Sequence, residues 1–378
     1  MPLGSQRDLF DVPDEIAYLN TANMSPLLRS VREAGGRALA RRAAPWTIAA
    51  SDWFSDVERL RNAFAGVMGV QSDGVALVPA TSYGLAVAAR NLAAKPGEQV
   101  VALAGEYPSN YYTWRRFCQR HGAELVVVDR TTDQTWTEAV LDRIGERTAV
   151  LAVPNVHWTN GSLLDLEVVV PAARQVGAAV VIDASQSLGA MPLDVERLQP
   201  DFLVSVGYKW LLGPLGVGCL YVAERYRDGE PIEENWINRE GSEDFAALAD
   251  YTEAYRAGAR RFDVGQRTNF GLVPMAVAAV EQVLEWTVGG VAASLQEVTD
   301  EIGRRAAGLG YAVPAQDRHG PHMLGIDLPR DVATVVDRRL VASGVIASVR
   351  GSSLRIAPHL HTNESDIDRL LDCLAAAA

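Results

Sequence analysis

Between residues 50 and 225, short apolar runs alternate with stretches whose apolar positions return every three or four residues. Trp53, Phe54, Val57, Leu60, Phe64 and Val67 fall at helical spacing and predict an amphipathic helix over 51–68. A short apolar strand, 75–78, comes next, then an Ala-rich helix over 81–91 opened by a Thr-Ser cap. The alternation continues with strands at 99–103, 125–128, 148–153 and 179–182 and helices at 109–121, 136–144 and 166–176. Strands at 202–206 and 217–222 close the series. Strands this apolar, separated by helices, predict an α/β fold with a mainly parallel sheet covered on both faces. In such sheets ligands sit beyond the carboxyl ends of the strands.

The stretch 224–260 is charged and weakly periodic, and reads as an excursion over the surface or near the site entrance. A long helix is expected from Val273 through Trp286. A second αβ pattern then appears: a strand at 323–327, a helix at 332–343, paired strands near 345–349 and 353–356, and a closing helix at 364–374. The chain therefore divides into a large domain, 21–272, and a smaller α/β domain built from 1–20 and 273–378.

The 378 residues are 48% hydrophobic and 22% charged, an ordinary globular composition that argues against general disorder. The formal net charge of −12 argues against general affinity for nucleic acid or an anionic membrane. Cys118, Cys219 and Cys373 lie far apart, so neither a zinc ribbon nor a disulfide framework is indicated, and no metal site is expected. A reducing cytoplasm is the simplest compartment. No secretory signal and no membrane-spanning apolar run is visible.

The most informative stretch is 180–220. One strand delivers Asp183 to its carboxyl end, and a later one delivers Gly207, Tyr208 and Lys209, followed by a turn through Gly213, Pro214 and Gly216. A lysine beside apolar Trp210 and Leu211 is desolvated, which lowers its pKa and makes the amine nucleophilic toward a carbonyl. An acid and a lysine on neighbouring strand ends suit pyridoxal 5′-phosphate (PLP), which needs an amine for its aldehyde and a carboxylate beside its ring nitrogen. Taken singly, Asp183 is an ordinary strand-end residue and Lys209 an ordinary surface lysine; the combination with the glycine turn is what points to a cofactor site.

The pattern D-x-S-Q-S-x-G followed by S-V-G-Y-K-W-L-L-G-P-L-G-V-G resembles the class V aminotransferase family of fold-type I PLP enzymes, which includes cysteine desulfurases, selenocysteine lyases, isopenicillin N epimerase and kynureninase. The resemblance covers nearly the whole chain and is weakest in 224–260. It implies Lys209 as the Schiff-base lysine, Asp183 as the ring-nitrogen partner and Gln186 as the donor to the cofactor's ring oxygen. It places the phosphate at the helix start carrying Thr81 and Ser82, where free N–H groups and the helix dipole favour an anion. Plain N-capping is the alternative role there. Ser205 and Tyr208 stand near positions where relatives carry serine and histidine. Tyr107 matches an aromatic or histidine that stacks on the cofactor ring, with a packed loop tyrosine as the alternative. Asn155 matches a residue that bonds the ring oxygen or substrate. Thr268 and Asn269 resemble a loop inserted into a neighbouring subunit's phosphate site, which implies a homodimer with shared active sites. Arg355 matches the grip on the substrate carboxylate, and a guanidinium fork suits that group. Asn20 and Asn23 resemble an N-terminal pocket segment. His157 is a candidate proton carrier or a structural hydrogen-bonding residue. Trp46, Trp53 and Trp158 read as core, with a bulky pocket wall as the alternative.

Together these residues imply a PLP-dependent enzyme acting on a small amino acid. In the expected chemistry an external aldimine forms and Lys209 removes the α-proton. The outcome is then elimination of a β-substituent, as in a C–S lyase, or transamination, with epimerisation as the alternative. No cysteine stands in 343–352 ahead of Arg355, where desulfurases of this family carry their sulfur acceptor, so ordinary desulfurase action is disfavoured. A non-PLP α/β enzyme is the competing reading, but neither G-x-G-x-x-G after the first strands nor a P-loop is present.

Overall fold

The computed structural model describes residues 2–131 and 133–377. A seven-stranded sheet lies at the centre, in the spatial order Val75–Val78, Gly218–Val222, Phe202–Val206, Ala179–Asp183, Thr148–Pro154, Gln99–Leu103 and Glu124–Val128. Strand 218–222 is antiparallel to both its neighbours, and every other pairing is parallel. Six of the seven strands thus point the same way. Apolar residues fill both faces: Val180 and Ile182 enter one buried cluster, Ala179 and Val181 the other. This double burial is why these strands read as unbroken apolar runs.

Helix Thr81–Asn91 presses on the sheet so closely that a Cβ on Gly84 would meet Val204 Cγ2 at 2.6 Å, so glycine is needed there. Helix Leu272–Trp286 opens the segment expected to form the small domain, yet its buried face packs in the same cluster as Val57, Leu60 and Phe64 of helix Ser55–Met68. Two further helices, Arg29–Arg42 and Val288–Gly308, are not predicted by the apolar pattern.

The smaller unit has its own core, including Leu19, Ile302, Leu324, Leu354, Ile356 and Leu370. Its antiparallel sheet orders Ser348–Arg350, Ser353–Ile356 and Leu324–Asp327. The segment expected as one strand over 345–349 divides: Val345–Ile346 pairs in parallel with Ala17–Tyr18, which brings the N-terminal segment here. The stretch between 222 and 272 carries only short 3-10 turns, at Glu224–Tyr226, Trp236–Asn238 and Gly258–Phe262. Trp53 gathers Trp236, Phe245 and Phe270 around its ring. Among the described residues no single helix is long and apolar enough to cross a membrane.

Candidate active site

The carboxyl ends of five like-directed strands meet around one cavity. Thr81 follows strand 75–78; Glu106 and Tyr107 follow 99–103; Pro154 and Val156 close 148–154. Asp183, Ser185 and Gln186 close 179–183, and Val206, Tyr208 and Lys209 close 202–206. The chain order reverses between strands 99–103 and 148–154, so the cavity sits at a topological switch point, where open α/β sheets bind ligands.

Lys209 is 8% exposed. Its Nζ lies 5.6 Å from the Tyr107 ring centre and 5.9 Å from that of Tyr208. Burial drives its pKa down, Asp183 resists and Arg355 adds to the fall, with the result near 8. The amine therefore has a substantial neutral, nucleophilic fraction close to neutral pH. Leu212, three residues on, holds φ +57°, a strained position for a leucine, and its side chain is fully buried. Its N–H bonds the Lys209 carbonyl at 3.2 Å, closing the turn that carries the amine. Burial also raises the Asp183 pKa, opposed by the Ser185 hydroxyl and N–H and by Lys209. The Ser185 N–H donates to Asp183 Oδ1 at 2.9 Å.

Arg355 is 2% exposed, on strand 353–356. It donates to the Trp158 carbonyl at 2.7 Å and to Asn20 Oδ1 at 3.2 Å, while Nε has no partner. Among the described residues no carboxylate forms an ion pair with it. Burial and then Arg350 lower its pKa to about 10, so it stays charged at neutral pH. Burying an unpaired guanidinium is costly unless a ligand anion completes it.

The structure places the remaining sequence candidates as follows. Helix 81–91 is capped by Ala80 with no side-chain bond; the Thr81 hydroxyl pairs instead with Ser185 Oγ at 2.8 Å, and Ser82 points to solvent. The Gln186 carboxamide is already engaged, donating to the Ala22 carbonyl and accepting from the Trp210 indole, both at 3.0 Å. Ser205 lies within the sheet and bonds the carbonyls of Ala184 and Val206, away from the cavity. His157 has both ring nitrogens engaged, by Thr159 Oγ1 at 2.7 Å and the Ala104 carbonyl at 3.1 Å, and stacks on Trp136. Asn155 is buried next to the cavity lining with Oδ1 unpartnered. Asn20 reaches Arg355, but Asn23 is exposed. Thr268 bonds the Trp53 carbonyl at 2.6 Å and exposed Asn269 accepts from the N–H groups of Gly271 and Leu272; neither lines this cavity. Of the three tryptophans read as core, Trp46 is 83% exposed, Trp53 belongs to the aromatic group near the surface, and Trp158 lines the cavity.

Two polar lining residues, Glu106 and Ser185, are not singled out by the sequence pattern, and Trp158 takes the pocket-wall place that was the alternative to core. Glu106 sits one residue before Tyr107, accepts the Tyr107 N–H at 2.8 Å and leaves Oε2 without a partner. Burial and then Asp183 push its pKa up to about 8, so at neutral pH it is mostly a neutral acid. A signal for it does exist, since a second acid at a strand's carboxyl end is as informative as the first.

A buried lysine and aspartate at a sheet switch point, with a buried arginine brought in by the smaller unit, define a cofactor-dependent α/β enzyme. The profile of the aminotransferase class-V family matches residues 38–258, more than half of the chain. The chain belongs to that family of PLP-dependent enzymes. It is 29% identical over 332 residues to an uncharacterized aminotransferase of Bacillus subtilis, covering 86% of each chain. It is 27% identical over 379 residues to isopenicillin N epimerase of Streptomyces clavuligerus, covering 96% of this chain and 94% of that protein. A variant of C-DES with glycine covalently linked to its PLP cofactor superposes with a TM-score of 0.88 at 18% identity, over 98% of this chain and 99% of the other.

Proposed function

We propose that this protein acts on a small α-amino acid, by β-elimination or by transamination. The observation that carries the reading is Arg355: a buried guanidinium without a carboxylate partner, close enough to Lys209 to depress its pKa. A substrate α-carboxylate supplies the missing charge and sets the α-carbon beside the amine.

The residues present suit PLP. Lys209 would hold the aldehyde carbon and Asp183 would meet the ring nitrogen. The first turn of helix 81–91, with Thr81, would receive the phosphate. Tyr107 offers a ring face, and the unpartnered Asn155 Oδ1 marks a polar atom left unsatisfied beside the cavity. When bound, the cofactor supplies an electron sink for the α-carbon. Arg355 and Asn20 orient the carboxylate. Lys209 Nζ takes the α-proton, and Asp183 holds the balancing negative charge. The aromatic rings of Tyr107 and Trp158 stand edge-on to each other along the cavity lining.

Persulfide chemistry by this chain's own thiols finds no support. All three cysteines are buried, and burial pushes the Cys118 thiol up to about 11 and the Cys219 thiol up to about 12. None lines the cavity. Direct elimination and transamination need no such thiol. Thr268 and Asn269, lying outside this cavity, fit a homodimer in which they complete a second subunit's site.

The deciding experiment incubates the PLP-loaded protein with a panel of amino acids, with and without a keto-acid acceptor. Pyruvate with ammonia establishes elimination, and a new amino acid establishes transamination. Loss of optical activity alone establishes epimerisation and overturns both. The chain has only two lysines, Lys95 and Lys209, and Lys95 is a surface residue. Borohydride should therefore fix the cofactor to one peptide, that of Lys209; fixation at Lys95, or none, rejects the assignment.

A further inference from the structure

Trp158 links Arg355, Tyr107 and the loop after strand 99–103 at the edge of the candidate site. Its indole Nε1 donates to the Gly105 carbonyl at 2.7 Å, and its ring stands edge-on to Tyr107, with 5.6 Å between centres and 85° between planes. Its own carbonyl accepts from Arg355 at 2.7 Å. A carboxylate held on Arg355 is therefore one residue's width from the indole. The lining mixes polar Thr81, Asp183, Ser185 and Lys209 with apolar Pro154 and Val156 and the rings of Tyr107 and Trp158. This one cavity must hold both cofactor and amino acid. Pinned at its nitrogen and set edge-on against Tyr107, the indole cannot retreat by a rotamer change without losing both contacts.

We propose that Trp158 is the specificity-determining residue of this site, its fixed indole limiting the amino acid to small side chains. This rests on the reading of the cavity as a PLP-dependent amino-acid site and adds the substrate's size class to it. The side chain of a bound amino acid leaves the α-carbon next to the indole, so glycine-, alanine- and serine-sized substrates fit. An aromatic side chain must displace the indole or forgo the Arg355 contact.

The test uses PLP-loaded protein and reads binding through the absorbance change of the bound cofactor on titration with glycine, alanine or phenylalanine. The native chain should bind phenylalanine at least tenfold more weakly than alanine. Trp158→Ala should reduce that ratio by about tenfold or invert it, since removing the indole frees apolar space for the larger ring. Trp158→Phe, which keeps a ring but loses the bond to Gly105, should retain most of the preference and guards against a folding artefact in the alanine variant. PLP affinity should change little in either. A purified chain that stays colourless with PLP rejects the cofactor reading and this inference together. A yellow chain whose alanine-to-phenylalanine ratio is the same in native and Trp158→Ala forms rejects the inference alone.

Discussion

Single residues in this site trade stability for chemistry, and the trade is measurable. Arg355 makes its only side-chain hydrogen bonds to an amide oxygen and a backbone carbonyl. Arg355→Ala should raise KM for amino acids by about 10- to 100-fold, the worth of a charge-assisted hydrogen bond of roughly 1.5–3 kcal/mol, with a smaller change in kcat. An unchanged KM dismisses the carboxylate grip. Glu106 offers a second test, through stability. Its pKa rises from 4.5 to about 8 on folding, because burial and Asp183 disfavour the charged form. Between those values the folded chain holds a proton that the unfolded chain has lost, so stability falls as pH rises, by up to about 1.4 kcal/mol per unit. Glu106→Gln removes this dependence. The apoprotein variant should be more resistant to urea than the native chain at pH 8 and close to it at pH 5; equal midpoints at pH 8 show that the carboxyl is not held neutral. Asp183 and Lys209 are legible in the sequence because a strand end and a glycine turn bracket them. Glu106 does not stand out there, and Trp158 reads there as core or pocket wall alike, because their importance comes from which loops face one another across the cavity. Gln186 and His157 have suitable chemistry, but neighbours from distant segments, Ala22 and Ala104, already occupy their polar atoms.

At the scale of elements, apolar runs place all seven central strands within about a residue, since burial on both faces leaves no polar positions to confuse the signal. Helices fare unevenly. Helix 29–42 carries arginines through its length and Gly35-Gly36 at its centre, and it buries only Val31, Ala34, Gly35 and Ala38, a stripe too small to read as an apolar face. Helix 288–308 begins at Gly289-Gly290 directly after Thr287, whose φ of +61° breaks it from helix 272–286; two glycines at a helix start read as a loop. The loop leading to Thr268 is anchored by charge. Asp263 is fully buried and receives both Arg61 guanidinium nitrogens, at 2.9 and 2.6 Å, the Leu77 N–H at 2.7 Å and Arg267. Burial alone would raise its pKa, but Arg61 and Arg267 outweigh that and hold it below the usual range. Removing this carboxylate leaves two guanidinium groups buried with no common counter-charge. Asp263→Ala should cost about 3–5 kcal/mol of stability in urea unfolding. A loss under about 1 kcal/mol shows that water or neighbouring groups reach the arginines.

At the scale of the molecule, the two cores meet beneath the Lys209 turn, and histidines line the seam. His322 Nε2 donates to the Gln186 carbonyl, and its ring stands edge-on to Trp210 at 4.3 Å. His359 stacks near Trp210, and His361 bonds the Tyr18 carbonyl at 2.8 Å and meets Phe10 edge-on. All three are fully buried, and burial is the main reason their pKa values fall, to about 4, 3 and 4 for His322, His359 and His361. A base whose pKa is depressed on folding loses its advantage as pH drops. Below about 6.5 the unfolded chain takes up protons that the folded chain refuses, until the folded values near 4 are reached. Glu106 acts with opposite sign across the same range, holding one proton in the folded state. Burial lowers the His157 pKa as well, and it raises those of Asp183 and Asp366; with the depressed histidines outnumbering the raised acids, stability should decline as pH falls from about 6.5 to 5. Urea midpoints at about pH 7.5, 6.0 and 5.0 read this directly. His359→Phe should take about 1.4 kcal/mol per unit off the slope while leaving the neutral-pH midpoint less affected, because the substituted ring can still lie along Trp210. A flat profile down to about pH 5, or an unaltered slope in the variant, means the seam admits protons and that the small unit is not clamped to the lysine turn by neutral histidines.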